Sequence, residues 1–146
     1  MATNFSTGDY VPSNPAKYIG TYPITYRSSW ELSVMRVLDA HPNVTQWASE
    51  SMSIPYLHPL TGKWSFYIPD LLIVFVDKDG KKRAELVEIK PAKETYLDRA
   101  KSKKDKLVHA VNQAKWVAAI AWCQKNGLTF RVLTEDQLFA NGKKRK

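Results

Sequence analysis

The sequence predicts a small α/β fold with a mixed central β-sheet flanked by helices, and three observations predict it. Leu71–Val76 is apolar without a break, the mark of a strand buried on both faces, and Leu128–Leu133 reads as another buried strand. A long helical stretch, from about Lys106 to Lys125, separates the strand holding Glu88 from the second run. A crossover helix between two such strands implies a right-handed, parallel pairing of the Glu88 strand with the Phe130 strand. The third observation is the hairpin in YIPDLLIVFVDKDGKKRAELVEIKPAKE, residues 67–94, which adds an antiparallel pair and gathers three charges at one end.

The elements follow in chain order. Residues 1–26 read as an extended N-terminal arm, because Gly8, Pro12, Pro15, Gly20 and Pro23 break any helix; its four tyrosines imply that it lies on a surface. A helix is expected from Ser28 to about Ala40, with Trp30, Val34, Val37 and Leu38 at helical spacing, Ser28 as N-cap and His41-Pro42-Asn43 as the stop. Val44–Trp47 and Met52–His58 read as strands, Pro59–Gly62 as a turn, and Trp64–Tyr67 as a strand leading into the hairpin, all in a meander. Pro91 ends the hairpin, and residues 93–106 are lysine-rich and partly helical. On the long helix, Leu107, Val111, Ala114, Val117, Ala118 and Ala121 form the expected apolar side, with Asn126-Gly127 as its stop. Thr134-Glu135-Asp136-Gln137 fits a capping box for a last short helix. Residues 27–140 thus make one domain, and residues 141–146 a basic C-terminal tail.

Composition excludes several classes. With 146 residues, 44% of them apolar and 25% charged, the chain is one globular domain with a sizeable core. No run approaches the ~18 apolar residues of a membrane span, and MATNFSTGDY has neither region of a signal peptide. The single Cys123 suits a reducing compartment, and with His41, His58 and His109 it offers no zinc spacing. No Gly-rich phosphate loop and no Gly-x-Ser-x-Gly elbow is present, so nucleotide and serine hydrolases get no support. The net charge of +8 favours a polyanionic partner, nucleic acid first. Lys143, Lys144, Arg145 and Lys146 carry half of that charge, and the body remains basic. Among the aromatics, Trp116 and Trp122 on the long helix and Trp64, alternating with Phe66, read as core; Tyr96 is placed to touch nucleic acid.

The charged hairpin end has a chemical reading. If the loop centres on Asp79-Gly80, facing residue numbers sum to near 159, so Asp70 lies opposite Ile89, give or take one residue. Glu88 and Lys90, two apart, share a face. A shift of one residue, or a bulge, adds Asp70 to it. Pro69 has no N–H and suits the end of a ladder. Two carboxylates at one point repel unless a cation joins them. A hard divalent ion, Mg²⁺ or Mn²⁺, takes oxygen ligands and keeps several waters, so Asp70 and Glu88 are candidate ligands, helped by the Ile89 carbonyl. Such an ion acidifies water and stabilises charge on a phosphate, and Lys90 beside it could orient that water or stabilise the transition state. The outcome is metal-assisted phosphodiester hydrolysis. The plain alternative is a solvated Glu/Lys pair at a hairpin end.

Pro69-Asp70 followed by Glu88-x-Lys90 on adjacent expected strands resembles the signature of the PD-(D/E)xK nuclease superfamily. That resemblance implies a restriction-endonuclease-like core, magnesium on the aspartate and glutamate, and a lysine that assists attack by water. The superfamily often adds an acidic residue from an N-terminal helix, and Glu31 in Tyr26-Arg27-Ser28-Ser29-Trp30-Glu31 stands there as a second-site ligand or as a group orienting a metal water. Ser28-x-x-Glu31 is also a capping box, so both roles stand. Arg27-Ser-x-x-Glu31, Tyr67-x-Pro69-Asp70 and Glu88-x-Lys90 together resemble TnsA-type transposon endonucleases and phage endonuclease I-type junction resolvases. The tracts YRSSWELSVMRVLDAHPNV, FYIPDLLIVF, ELVEIKP and WCQKNGLTFRVLTE extend the resemblance over nearly the whole chain, to the head completion nucleases of T-even phages.

The expected activity is therefore a magnesium-dependent DNA endonuclease with Glu31, Asp70, Glu88 and Lys90 as catalytic residues and Asp70, Glu88, Glu31 and Ile89 around the metal. Arg27, Lys93, Arg99, Lys101, Lys103, Lys104, Lys106 and Lys115 are the expected DNA contacts, the alternative being an exposed lysine-rich helix face. Gln113, beside Lys115, is a second polar candidate. The phage resemblance implies work on a packaged genome end, or on branched DNA, after filling and before the tail joins. It places the protein in the cytoplasm of an infected bacterium or on the virion, with portal or neck proteins as partners and no membrane. A nuclease of this size that cuts both strands commonly acts as a homodimer. The rival reading is a non-catalytic DNA- or portal-binding assembly factor that keeps the nuclease fold; RNA cleavage and junction resolution are further alternatives.

Overall fold

The computed structural model describes residues 7–95 and 99–136, the side chains of Lys93 and Glu94 excepted. The expectations for Tyr96, for the Lys93 side chain, for the basic tail and for the last helix beyond Asp136 lie outside the described residues.

The N-terminal segment is pinned down, as its tyrosines suggested. Strand β1 (Gly8–Tyr10) pairs antiparallel with β2 (Ile24–Tyr26), and a 3-10 turn, Pro15–Lys17, lies between them. Tyr18 is buried edge-on against Trp47, with ring centroids 4.7 Å apart, and the Ile19 N–H donates to the Trp47 carbonyl at 2.9 Å. Helix α1 (Ser29–Ala40) starts where expected: the Glu31 N–H donates to the Ser28 hydroxyl at 3.1 Å. It buries Val34, Met35 and Leu38.

The main sheet has four strands in the order β3 (Val44–Ser49), β6 (Leu71–Val76), β7 (Lys82–Ile89), β8 (Thr129–Leu133). As the sequence implied, β6–β7 is antiparallel and β7–β8 is parallel across helix α3 (Lys103–Asn126); β3–β6 is antiparallel. A short helix, α2 (Ala92–Thr95), follows β7. The core clusters Trp47, Leu71, Leu86 and Val87, all at most 1% exposed, with Trp116, Ala119 and Cys123 of α3. Truncating a leucine in such a site costs about 2–5 kcal/mol.

Three expectations are corrected. The strands do not run as one meander: β4 (Ile54–Leu57) and β5 (Trp64–Tyr67) form their own two-stranded ribbon, and β3 pairs with β6 over their heads in sequence. The ribbon packs only one face, with Ile54, Tyr56 and Tyr67 buried, so Trp64 (73% exposed) and Phe66 (71%) are surface residues and not core. The buried stripe of α3 is Asn112, Trp116, Ala119 and Cys123, whereas Val117 and Ile120 face out and Leu107 is exposed. Apolar residues lie nearly all round this helix, so periodicity left its phase undetermined. Its ends are well marked: the Asp105 N–H donates to Ser102 Oγ at 2.9 Å, and Gly127 adopts a left-handed φ of 74° at the stop.

Candidate active site

The β6–β7 register brings the charges together. Leu71 faces Val87 and Val76 faces Lys82, so facing numbers sum to 158. The difference from the expected sum has a local cause. The loop is three residues, Lys78 to Gly80, closed by the Asp77 N–H on the Lys81 carbonyl at 2.8 Å. Asp77 Oδ1 accepts from the N–H groups of Asp79 and Lys81, both at 2.9 Å, and Gly80 takes a φ of 79° that only glycine adopts cheaply. One step beyond the ladder, this register sets Asp70 opposite Glu88, and facing residues share a side of the sheet without any bulge.

Side chains converge accordingly. Asp70 Oδ2 accepts the Ile89 N–H at 2.7 Å, and the Glu50 N–H donates to the Asp70 carbonyl at 3.0 Å, fixing both ends of the residue. Glu88 is 6% exposed; its Oε1 accepts the Tyr67 hydroxyl at 2.9 Å, and its Oε2 lies 3.8 Å from Lys90 Nζ. Lys115 Nζ sits 5.8 Å from the centre of the Tyr67 ring and 6.0 Å from that of Tyr56. The charge of Lys115 also favours ionised Glu88. Gln113 donates to the Thr95 carbonyl at 3.4 Å.

The electrostatics follow from burial. Desolvation first, and the charge of Glu88 second, hold the Asp70 carboxyl well above the usual range, with the Ile89 N–H pulling the other way. Burial also raises Glu88, against the charge of Lys90 and the Tyr67 hydroxyl. Two such carboxyls want either a proton or a cation between them. Burial, and then the negative charge of Glu88, raise the Tyr67 phenol, so it stays a donor. Among the described residues no group of three or more metal-ligating side chains converges. A carboxylate pair nevertheless suits Mg²⁺, which uses one or two carboxylates and keeps the rest of its shell as water. The donor set fits.

Glu31 has a structural partner of its own. Its Oε1 accepts the Arg27 N–H at 2.9 Å, completing the capping arrangement at the start of α1, while burial raises its carboxyl. It still senses the site, since its charge acts on Asp70. Arg27 pairs with Glu50, a residue the sequence reading passed over. Glu50 has a left-handed φ of 50°, uncommon away from glycine and worth about 1 kcal/mol of strain. Nothing in the sequence marks that conformation. The sequence assigns Tyr67 no role; its only signal there is its place three residues before Asp70 in Tyr67-x-Pro69-Asp70. Lys101, Lys103, Lys104 and Lys106 are exposed, and Arg99 pairs with Asp136 at 2.9 Å.

Comparison with known proteins accords with this geometry. The family model described as "TnsA-like endonuclease N terminal" matches residues 41–135, a stretch that holds Asp70, Glu88 and Lys90 and leaves α1 with Glu31 outside. The chain is also similar to a protein described as "Head completion nuclease" of Enterobacteria phage T4, at 38% identity over 93% of this chain and 95% of that protein. With most of its length matched and the carboxylate pair and lysine in place, the chain belongs to the TnsA-like, PD-(D/E)xK-superfamily head completion nucleases.

Proposed function

We propose that the protein is a Mg²⁺- or Mn²⁺-dependent DNA endonuclease that acts in phage head completion, on the end of a packaged genome, before the tail is attached. The observation that carries this reading is the pair of buried carboxyls, Asp70 and Glu88, with Lys90 Nζ 3.8 Å from Glu88 Oε2. A hard divalent ion bound by the pair would supply an acidified water and a counter-charge for the phosphate. Asp70 and Glu88 hold that ion, with the Ile89 carbonyl as a further donor. Lys90 orients the attacking water and stabilises the developing anion. Glu31, one step away, orients water or serves a second ion. Arg27, Arg99 and the exposed lysines from Lys101 to Lys106 neutralise backbone phosphates, and Lys93 and the tail add to them. Portal or neck proteins, and a second copy of the chain where both strands are cut, complete the assembly.

Supercoiled plasmid tests the proposal. The wild-type protein with Mg²⁺ or Mn²⁺ is expected to nick it, Lys90→Ala to slow nicking by about 100-fold or more, and Asp70→Ala to abolish it. Equal DNA binding by all three proteins with no nicking by any would instead identify a non-catalytic assembly factor. Linear, branched and single-stranded DNA substrates then define what is cut.

A further inference from the structure

We propose that Tyr67 is a positioning residue that makes Glu88 present a single oxygen to the ion, and so biases the site toward small octahedral ions over Ca²⁺. The inference rests on the metal-nuclease reading and adds metal discrimination to it. Tyr67 is 4% exposed and is fixed at the end of β5 by its pairing with Ile54. Its hydroxyl donates to Glu88 Oε1 at 2.9 Å, while Oε2 is the oxygen turned to Lys90. Asp70 is treated in the same manner: Oδ2 accepts the Ile89 N–H at 2.7 Å. Each carboxylate therefore has one oxygen tied to an interior donor, Glu88 Oε1 to the phenol and Asp70 Oδ2 to the Ile89 N–H.

Mg²⁺ demands near-octahedral geometry at about 2.0–2.1 Å and is content with one oxygen from each carboxylate plus waters. Ca²⁺ takes about six to eight oxygens and readily uses both oxygens of one carboxylate. Two-oxygen ligation by Glu88 would set the ion in competition with the phenol for the electron density and orientation of Oε1, weakening a buried hydrogen bond, which is costly. Discrimination thus comes from a neighbour that never touches the ion, a common device around metal ligands.

Calorimetric titration of the full chain with Mn²⁺ and with Ca²⁺ tests this. Wild type is expected to prefer Mn²⁺. Tyr67→Phe keeps the ring and removes the donor; it should lose about tenfold or more in Mn²⁺ affinity while Ca²⁺ affinity holds or rises, so the preference collapses. A folded Tyr67→Phe protein with an unchanged Mn²⁺/Ca²⁺ ratio overturns the role of Tyr67 and leaves the nuclease reading standing. A wild-type protein that binds neither ion overturns both. Should Tyr67→Phe not fold, wild-type crystals grown with Mn²⁺ decide the matter. One-oxygen ligation through Oε2 with the phenol still on Oε1 supports the proposal, and ligation through both Glu88 oxygens overturns it.

Discussion

Asp70 and Glu88 are held in a place where neither carboxylate is stable alone. The folded state keeps protons on this pair that the unfolded chain releases, because burial raises both carboxyls and the charge of Glu88 raises Asp70 further. Stability therefore falls as pH rises from the ordinary aspartate range through the raised folded value of Asp70. Asp70→Asn removes the repulsion and still accepts the Ile89 N–H. We expect it to melt about 3 °C or more above wild type at pH 8 without divalent ions, with the gap closing toward pH 4 and on addition of Mg²⁺. Thermal melts across pH read this directly; a lower melting temperature for the variant at pH 8 would refute it. At this scale much was legible. Strand register through a tight turn is simple arithmetic, so the meeting of Asp70 with the Glu88–Lys90 stretch followed from counting. Tyr67 and Glu50 act across elements that do not pair in sequence order, and local pattern carries no trace of such contacts.

At the scale of elements, the C-terminal turn of α1 contains a local conflict. Asp39 lies one residue from the last residue of α1, where a negative charge opposes the helix dipole. The N-terminal segment resolves it. Tyr10 Oη donates to Asp39 Oδ2 at 2.6 Å, the Ser13 N–H to the same oxygen at 2.6 Å, and the Asn14 N–H to Oδ1 at 3.0 Å. Lys17 Nζ donates to the carbonyls of Asp39 and His41 at 2.9 and 2.8 Å. Burial alone would raise the Asp39 carboxyl, but these donors carry it below its usual value. Their contribution is present above the ordinary aspartate range and is lost as pH falls through the lowered folded value. Asp39→Ala should cost about 1–3 kcal/mol at pH 7, measured by urea unfolding, and less at pH 3; an equal cost at both would count against the carboxylate. The helix itself was readable from its cap and spacing. The separate β4–β5 ribbon was not, because an alternating Trp64-Ser65-Phe66-Tyr67 reads alike whichever face is packed. Nor was the phase of α3, whose apolar residues surround it.

Over the whole molecule, charge and topology matter most. The exposed Lys101, Lys103, Lys104 and Lys106 come after α2, which follows the strand ending at Ile89. Replacing Lys101, Lys103 and Lys104 by alanine should lower the slope of log affinity against log salt by about two to three on duplex DNA. Fluorescence anisotropy over a salt series measures it, and an unchanged slope would move the DNA path elsewhere. The parallel crossover was predictable, since two buried strands joined by a long helix allow little else.

That crossover has a consequence for the protein's synthesis. The strand bearing Glu88 ends at Ile89, and its parallel neighbour ends only at Leu133. A ribosome adding about 5–20 residues per second needs roughly 2–9 s to bridge that gap. Until then one border of β7 has no mate, and the growing polypeptide carries an open edge on which other strands could dock. A chain halted before Thr129 therefore keeps that border of β7 exposed, an invitation to pairing with foreign strands that the finished fold withdraws.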